Sequence, residues 1–214
     1  MMEPMHEGLR SDIEEQVRER FRKAAISPRG LFSYPTGRAG LLALAYAARD
    51  LNLGETLSAL PESVQESFCG VGNPFAAGLP GVGGQVLDVG CGAGVDVLVA
   101  ALSVGPEGHV TGLEFSPEMR ERAQANAALA GVGNVSFMPG GAEELPFADA
   151  SFDLLISNGV YNLVLHKRQA LAEAYRVLRP GARLQVADQI LEDAAPFQQD
   201  LGLGSPPEAK NWAT

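Results

Sequence analysis

Residues 86–94 read VLDVGCGAG, and this stretch decides the fold, because an apolar run gives way there to glycine at three alternate positions. Glycine loses more conformational entropy on folding than any other residue. Gly90, Gly92 and Gly94 therefore indicate either unusual backbone angles or a ligand that lies against the main chain. Two explanations are open at this point: a nucleotide-type cofactor, or tight packing between a strand and the helix that follows it.

The composition of the chain indicates one globular domain with an N-terminal elaboration. Its 214 residues are 46% hydrophobic, which is enough to bury a core. Its formal net charge of −10 argues against a broad phosphate-binding surface, since nucleic-acid binding depends largely on Lys and Arg. We therefore expect a small-molecule substrate and no nucleic acid.

The cysteines and the apolar segments argue against disulfide-rich, metal-binding, secreted and membrane proteins. Cys69 and Cys91 are the two cysteines of the sequence, too few for a disulfide framework or a CxxC metal pair, so no metal site is predicted. The opening MMEPMHEGLR lacks the basic end and apolar core of a secretory signal. The stretch LLALAYAA (residues 41–48) is far shorter than the ~20 residues that a membrane span needs. We expect a soluble cytoplasmic protein without membrane association.

The first 80 residues carry helical signals and are predicted to form a cap or lid with its linker. Ser11 and Glu14 make a capping box at the start of an amphipathic helix. A second helix is predicted over residues 38–53, and Pro61 fits the first position of a short third one. The Gly- and Pro-rich residues 69–84 connect this region to the rest of the chain.

Residues 81–190 are predicted to form the core, in which strands and helices alternate. The strands are predicted over 86–89, 109–115, 134–138, 152–157 and 183–190. Helices are predicted to begin near Gly94, Ser116 and Leu165, with a short turn near Ala142 and a helix end at Arg179-Pro180-Gly181. Such alternation is typical of a parallel sheet flanked by helices, so the predicted class is α/β with a Rossmann-like sheet. Residues 191–214 are predicted to form an irregular tail.

The glycine spacing and two acids favour one kind of cofactor. The spacing is G-x-G-x-G, and Val95 stands where the G-x-G-x-x-G pattern of a dinucleotide fold would have its third glycine, so that pattern is absent. Asp88 would repel a pyrophosphate but suits an ammonium group. Glu114, 26 residues later at the end of the second strand, can accept both ribose hydroxyls. S-adenosylmethionine, which has an amino-acid end and no phosphate, is therefore favoured, and a nicotinamide oxidoreductase is the least favoured reading.

Three segments resemble those of the class I methyltransferases that use S-adenosylmethionine: VLDVGCGAGVD (86–96), VGPEGHVTGLEFSPEM (104–119) and EAYRVLRPG (173–181). CGVGNP (69–74) and ISNGVYNLV (156–164) are similar, more narrowly, to the arsenite methyltransferases. The resemblance implies cofactor contacts as follows: the methionine part at Asp88, Gly90, Cys91, Gly92 and Gly94, the ribose at Glu114, the adenine at Phe115, and the sulfonium end at Asn158. Where many relatives have Gly-Asp-Ala this chain has Gly140-Gly141-Ala142, so Ala142 or Glu143 would have to bind the adenine amino group.

Several residues are candidates for catalysis, each beside a plainer alternative. Tyr34 and Tyr161 could face the sulfonium, or lie half-buried at a helix–sheet junction. Cys69 could be a reactive thiol near the substrate, or a small buried residue. His166 could be a general base, or a solvated residue at a helix start. Together with Asn158, these make Tyr161, Cys69 and His166 the catalytic candidates, while Cys91 reads as a packed spacer.

The resemblance implies in-line methyl transfer to a small molecule, for which the protein supplies positioning and exclusion of water. Arsenite enzymes of this kind have a cysteine where this chain has Gly159, and metalloid binding needs thiolates. We therefore expect poor methylation of arsenite. The alternative is an S-adenosylmethionine-binding protein whose turnover is lost or regulatory.

The end of the sequence carries a last expectation. The resembled fold continues past its fifth strand with a helix and two more strands, but 24 residues follow Ile190, and they include Pro196, Pro206 and Pro207. The predicted sheet therefore lacks the last two strands and leaves an apolar edge. We expect the tail to cover that edge, or two chains to form a homodimer there, or the sequence to be a truncated form of a longer enzyme.

Overall fold

The structure is a computed structural model that describes residues 7–44 and 53–189, and its centre is a parallel five-stranded sheet. The strands are β1 (Gln85–Val89), β2 (His109–Glu114), β3 (Val135–Pro139), β4 (Phe152–Asn158) and β5 (Leu178–Ala187). They lie in the order β3-β2-β1-β4-β5, and every neighbouring pair is parallel. The predicted α/β class is confirmed.

Seven helices surround the sheet in the described ranges. They are α1 (Glu7–Ile26), α2 (Gly37–Ala43), α3 (Leu53–Ala59), α4 (Glu62–Gln65), α5 (Val95–Val104), α6 (Pro117–Ala130) and α7 (Lys167–Val177), with a 3-10 turn at Pro74–Ala77. Among the described residues, no helix is long and apolar enough to cross a membrane.

Alternating side chains of the strands build two cores, one on each face of the sheet. Val86 and Ile156 point to the face covered by α5 and by the N-terminal helices, with Leu41, Leu53 and Phe68 in the same cluster. Leu87 and Leu155 point to the other face, which Ala170, Ala174 and Val177 of α7 cover. The N-terminal helices thus share the core of the sheet, and the predicted division between residues 80 and 81 stays a prediction.

The helix ends of the core follow from their sequence signals. Ser116 caps α6, because its Oγ accepts a hydrogen bond from the Met119 N–H at 3.3 Å, and Pro117 follows it at the first helical position. Gly131 ends the same helix with a left-handed backbone (φ 67°). Both predictions for this helix are confirmed.

Two predictions for the N-terminal region are wrong. The first helix is already formed at Glu7, so Ser11 lies within α1 and does not cap it. The second helix ends at Ala43, because Leu44 leaves the helical region (φ −91°, ψ 18°), and Leu53 opens a separate helix. An alanine- and leucine-rich stretch has high helix propensity throughout, so propensity alone does not locate this helix end. Residues 45–52 lie outside the described part of the chain.

The fifth strand begins earlier than predicted. Helix α7 ends at Val177 and β5 starts at Leu178, so Arg179-Pro180-Gly181 lies in the strand instead of closing the helix. The register with β4 shifts there: Phe152 pairs with Leu178, whereas Leu154 pairs with Arg183. A bulge can hold a proline and a left-handed glycine (Gly181 φ 84°), which a regular ladder cannot. The predicted tail, residues 191–214, lies outside the described residues.

Candidate active site

A cavity of about 620 Å³ lies at the carboxyl ends of β1, β2 and β4. The strand order reverses between β1 and β4, and such a reversal is where open α/β sheets bind ligands. Helix α1 contributes Val17, Arg18 and Phe21 to the opposite wall, and residues 67–70 close the side between them. The cavity is thus enclosed by the sheet and by the predicted lid.

The glycine loop after β1 owes its composition to its own geometry. Gly90, Gly92 and Gly94 all have positive φ (73°, 53° and 80°), a region that residues with a side chain rarely adopt. A Cβ at Gly90 would collide with Val160, and one at Gly94 would lie 3.0 Å from Ala123. Backbone strain and packing therefore explain these glycines, and the evidence for a cofactor must come from the side chains around the loop.

Three buried carboxylates supply that evidence. Asp88, Asp96 and Glu114 line the cavity with 2%, 6% and 3% of their surface exposed. The Oδ2 atom of Asp88 has no hydrogen-bond partner within the described residues. Burial, followed by the charges of Asp96 and Glu114, raises the pKa of Asp88 well above its usual range. A buried carboxylate with an unused oxygen is unfavourable unless a cation or donor joins it, and the amino-acid end of S-adenosylmethionine is such a group.

Glu114 already holds the glycine loop in place. Its Oε2 accepts a hydrogen bond from the Gly92 N–H, and its Oε1 accepts one from the Ser116 N–H, both at 2.9 Å. Burial raises its pKa, while these backbone donors and Arg120 oppose the shift. These bonds give Glu114 a structural role beside the ribose contact expected of it. A carboxylate has room for about four hydrogen bonds, so the ribose contact stays a prediction.

The expected adenine side combines an aromatic ring with a helix of the lid. Phe115 lines the cavity with 37% of its surface exposed. Phe21 of α1 meets its ring edge-on at 6.3 Å, and the Arg18 guanidinium lies 6.0 Å from the ring centre. A ring that is partly exposed beside a cavity suits an aromatic base.

Ala142 and Glu143, the residues expected to bind the adenine amino group in place of the absent aspartate, have different surroundings. Ala142 is buried in the wall, between the two residues of an isolated bridge, Gly141 and Glu144. Glu143 also lines the cavity, but its Oε1 accepts a hydrogen bond from the His166 N–H at 2.7 Å. That carboxylate is therefore shared with the start of α7, and an adenine contact by either residue stays a prediction.

Asn158 holds the segment of residues 69–72, which we call the strap. Its Oδ1 accepts hydrogen bonds from the Val71 and Gly72 N–H groups at 2.9 and 3.0 Å. Its Nδ2 donates to the Gly72 carbonyl at 2.8 Å and to Asp96 Oδ2 at 3.0 Å. An amide has two donors and two acceptor positions, so these four bonds use its whole capacity. A direct contact of Asn158 with the sulfonium stays a prediction.

Cys69 and Tyr34 lie on the strap side of the cavity. The Tyr34 hydroxyl donates to the Cys69 carbonyl at 3.1 Å, and both residues line the cavity. Burial, followed by Glu114 and Asp96, raises the pKa of the Cys69 thiol to about 12. Cys91 also lines the cavity, but its buried thiol points toward Gly112. If Gly112 carried a Cβ, that atom would lie 2.7 Å from the Cys91 sulfur. This position fits the predicted spacer.

Two catalytic candidates lie outside the cavity lining. Tyr161 is buried against Leu87 and Val89 on the α7 side of the sheet, and its hydroxyl has no partner among the described residues. His166 is exposed at the N-terminus of α7, as its plainer reading predicted. Both follow the end of β4 in sequence, and the lining residues of this segment are Gly159, Val160 and, between the two candidates, Leu163, Val164 and Leu165.

Sequence reasoning missed several cavity residues, and two charged ones, Asp96 and Arg18, matter most for the site. Asp96 lies two residues beyond the last glycine, in the first turn of α5. It is the last residue of the segment VLDVGCGAGVD, which carries the resemblance to methyltransferases. Arg18 is the one basic side chain in the described lining, against five carboxylates. The sequence predicted the helix and its place in a lid, but not which of its side chains would face the cavity.

Comparison with known proteins agrees with the geometry. A family model described as a methyltransferase domain matches residues 81–209. An arsenite methyltransferase of Halobacterium salinarum is 44% identical over 132 residues, which are 62% of this chain and 33% of that protein. A demethylmenaquinone methyltransferase of Listeria monocytogenes is 45% identical over 107 residues, 50% of this chain and 45% of that protein. The chain therefore spans less than half the length of these curated relatives.

A solved structure extends the likeness to the fold. The crystal structure of an arsenic(III) S-adenosylmethionine methyltransferase from Chlamydomonas reinhardtii superposes with a TM-score of 0.59 and 37% identity. The match covers 71% of this chain and 54% of that one. The sheet, the acids around the glycine loop and these matches agree: the chain belongs to the methyltransferase domain family, and within it the chain is similar to arsenite methyltransferases.

Proposed function

We propose that this chain binds S-adenosylmethionine in the cavity and transfers its methyl group to a small molecule. One observation carries the proposal: Asp88 is buried at the end of β1, beside Asp96, with an oxygen that no described residue uses. A positively charged ligand group would relieve this arrangement, whereas a nicotinamide dinucleotide would bring phosphates to it.

Each residue of the site has a task under this proposal. Asp88 and Asp96 would hold the amino-acid end, Glu114 the ribose and Phe115 the adenine. S-adenosylmethionine, when bound, supplies a methyl group on a positively charged sulfur that is already a good leaving group. The chain then needs to orient the acceptor and exclude water, and α1 with the strap would do both.

The acceptor is proposed to be a small molecule other than arsenite. Gly159 lines the cavity where arsenite enzymes have a cysteine, and its φ of 76° favours glycine. With Cys69 and Cys91 as the two thiols of the sequence, a trio of thiolates is missing. We therefore propose that arsenite is methylated poorly, although the relatives named above include an arsenite methyltransferase.

A second candidate is a protein that binds S-adenosylmethionine without turnover. It is favoured by the positions of Tyr161 and His166, which lie outside the cavity lining, and by the raised pKa of the Cys69 thiol. Under this reading the acids and the cofactor affinity would be retained, and methyl transfer would be lost.

Two measurements test these proposals. Calorimetric titration with S-adenosylmethionine and with NADH should give binding of the first alone, and binding of NADH alone would refute the cofactor assignment. Turnover with a panel of thiols, amines, phenols and arsenite then separates the enzyme from the binding protein, because only the enzyme forms S-adenosylhomocysteine faster than the protein-free control.

Association through β5 is a further proposal. This strand is one of the two outer strands of the described sheet, and its Leu184 and Val186 are 39% and 42% exposed. Exposed strand edges are commonly paired, covered or charged. Light scattering over a concentration series would test a homodimer, and a constant monomer mass would contradict it.

A further inference from the structure

The strap, residues 69–72, has no regular secondary structure of its own, and its first two residues, Cys69 and Gly70, line the cavity. It carries Cys69, whose sulfur would lie 3.9 Å from a Cβ added at Gly92 of the glycine loop. The strap therefore sets where this thiol lies relative to the glycine loop.

Side chains from several elements hold the strap. Asn158, the last residue of β4, makes three hydrogen bonds to its backbone, and Tyr34 makes a fourth, to the Cys69 carbonyl. The strap backbone also packs closely against β4 and β5: a Cβ on Gly70 would collide with the Asn158 amide, and one on Gly72 would lie 2.7 Å from the Ala187 Cβ. A segment without ladder bonds of its own depends on such anchors for a single position.

Asn158 is itself fixed by an acid of the cavity. Its Nδ2 donates to Asp96 Oδ2 at 3.0 Å, and Asp96 projects from the first turn of α5 beside Asp88. A chain of hydrogen bonds thus runs from Asp96 through Asn158 to the strap.

We propose that Asn158 is a positioning residue: with Asp96 behind it, it fixes the strap and so sets where the Cys69 thiol lies in the cavity. The proposal rests on the proposed function only in saying what this thiol would face, a bound cofactor and its acceptor. A hydrogen-bonding capacity fully used inside the protein fits this role better than a direct contact with the reacting atoms.

The test is the rate at which N-ethylmaleimide, an uncharged thiol reagent, alkylates Cys69 in the full chain without cofactor. Loss of three hydrogen bonds in Asn158→Ala should free the strap and speed alkylation about tenfold. Cys69→Ser gives the background rate of Cys91, which is buried.

Asn134→Ala is the matched control. Asn134 is also a half-buried asparagine whose Nδ2 bonds three backbone carbonyls, but these belong to Ala101, Gly105 and Gly108, away from the cavity lining. Its loss should lower the melting temperature and leave the alkylation rate within about twofold of the parent. Equal acceleration in both variants would mean a general loss of stability and would overturn the proposal.

Asp96→Asn tests the pair. An asparagine there can still accept the bond from Asn158, so Cys69 should stay as protected as in the parent while affinity for S-adenosylmethionine falls. Acceleration equal to that of Asn158→Ala would contradict the hydrogen-bond chain.

Should Asn158→Ala fail to fold, hydrogen exchange of the parent gives the answer. The Val71 and Gly72 amides should exchange at least about tenfold more slowly than the amide of Val82, which is exposed in a turn. Equal rates would refute the proposal. Neither measurement contains cofactor, so a failure to bind S-adenosylmethionine would refute the proposed function alone.

Discussion

Replacing Asp88 by asparagine should move two quantities in opposite directions. The side chain keeps its size but loses a carboxyl group that is buried, with an unused oxygen, near Asp96 and Glu114, where its charged form is costly. Because the unfolded chain favours the charged form at pH 7 and the folded free protein does not, the change should raise the free energy of unfolding of the free protein by about 1 kcal/mol. The same change should weaken S-adenosylmethionine binding by about 1.5–3 kcal/mol, or roughly ten- to a hundredfold, because the bond to a cation is lost.

Urea unfolding and calorimetric titration measure the two effects on the same variant. Asp153→Asn is the matched control, since its carboxylate is half-exposed at the start of β4 and bonds Arg179 at 2.6 Å and the Gln85 N–H at 2.8 Å. This control should lose at most about 1 kcal/mol of stability and keep its cofactor affinity. Unchanged cofactor affinity in Asp88→Asn would refute the cofactor assignment, and a loss of more than about 2 kcal/mol of stability would make Asp88 a structural residue.

Binding of 5′-methylthioadenosine provides a second check on the same variant. This molecule has the adenosine and the sulfur but not the amino-acid part of S-adenosylmethionine. If Asp88 binds the ammonium group, Asp88→Asn should bind 5′-methylthioadenosine as the parent does. An equal loss for both ligands would place Asp88 elsewhere in the site.

Three further outcomes are expected. Gly159→Cys should lower the free energy of unfolding by about 1–3 kcal/mol, because φ is 76° and a Cβ there would lie 3.3 Å from Val71. The same variant should not gain arsenite methylation. Mass spectrometry that shows efficient conversion of arsenite by the parent would refute the argument. Cofactor affinity should rise as the pH increases through the raised pKa of Asp88, because the proton that the free carboxyl keeps must leave before a cation binds there, whereas an affinity independent of pH would contradict this. Phe115→Ala should weaken cofactor binding roughly fivefold, and Leu129→Ala, on an exposed part of α6, should leave it unchanged.

The pH dependence of stability has the opposite sign to that of binding. In the folded free protein Asp88 holds its proton more tightly than in the unfolded chain. Its contribution to stability is therefore complete below its ordinary pKa and is lost as the pH rises through the raised folded value. A cation bound beside it restores the charged form, so the stabilisation that cofactor gives should increase over the same pH range.

The sequence predicted the sheet because its signals are local. Apolar runs, glycine loops and capped helices each lie within a few residues, and four of the five strands begin within one residue of their predicted position. The fifth does not, because the bulge that admits Pro180 depends on pairing with Phe152 and Leu154 across the sheet. A pattern that depends on a partner strand cannot be recognised from one segment alone.

The site was predictable in its residue types but not in its connections. Asp88 and Glu114 were visible as acids at strand ends, yet the bonds from Gly92 and Ser116 to Glu114 exist only once the loop is folded. Asn158 likewise read as a residue near the reaction, whereas its amide is used by a strap more than 80 residues earlier in the chain. Local patterns give the chemistry of a side chain, and long-range contacts decide what it is used for.

The carboxylates themselves argue for a ligand. A free chain that keeps Asp88 and Asp96 side by side in a buried wall is less stable than one with an amide at either place. A ligand that binds the folded state stabilises it by about 2.7 kcal/mol at a concentration a hundredfold above Kd, which is more than enough to offset such a pair. Departures from the most stable sequence concentrate at functional sites, and here the departure consists of negative charge. That sign favours a positively charged ligand, and it does so whether or not the chain turns its ligand over.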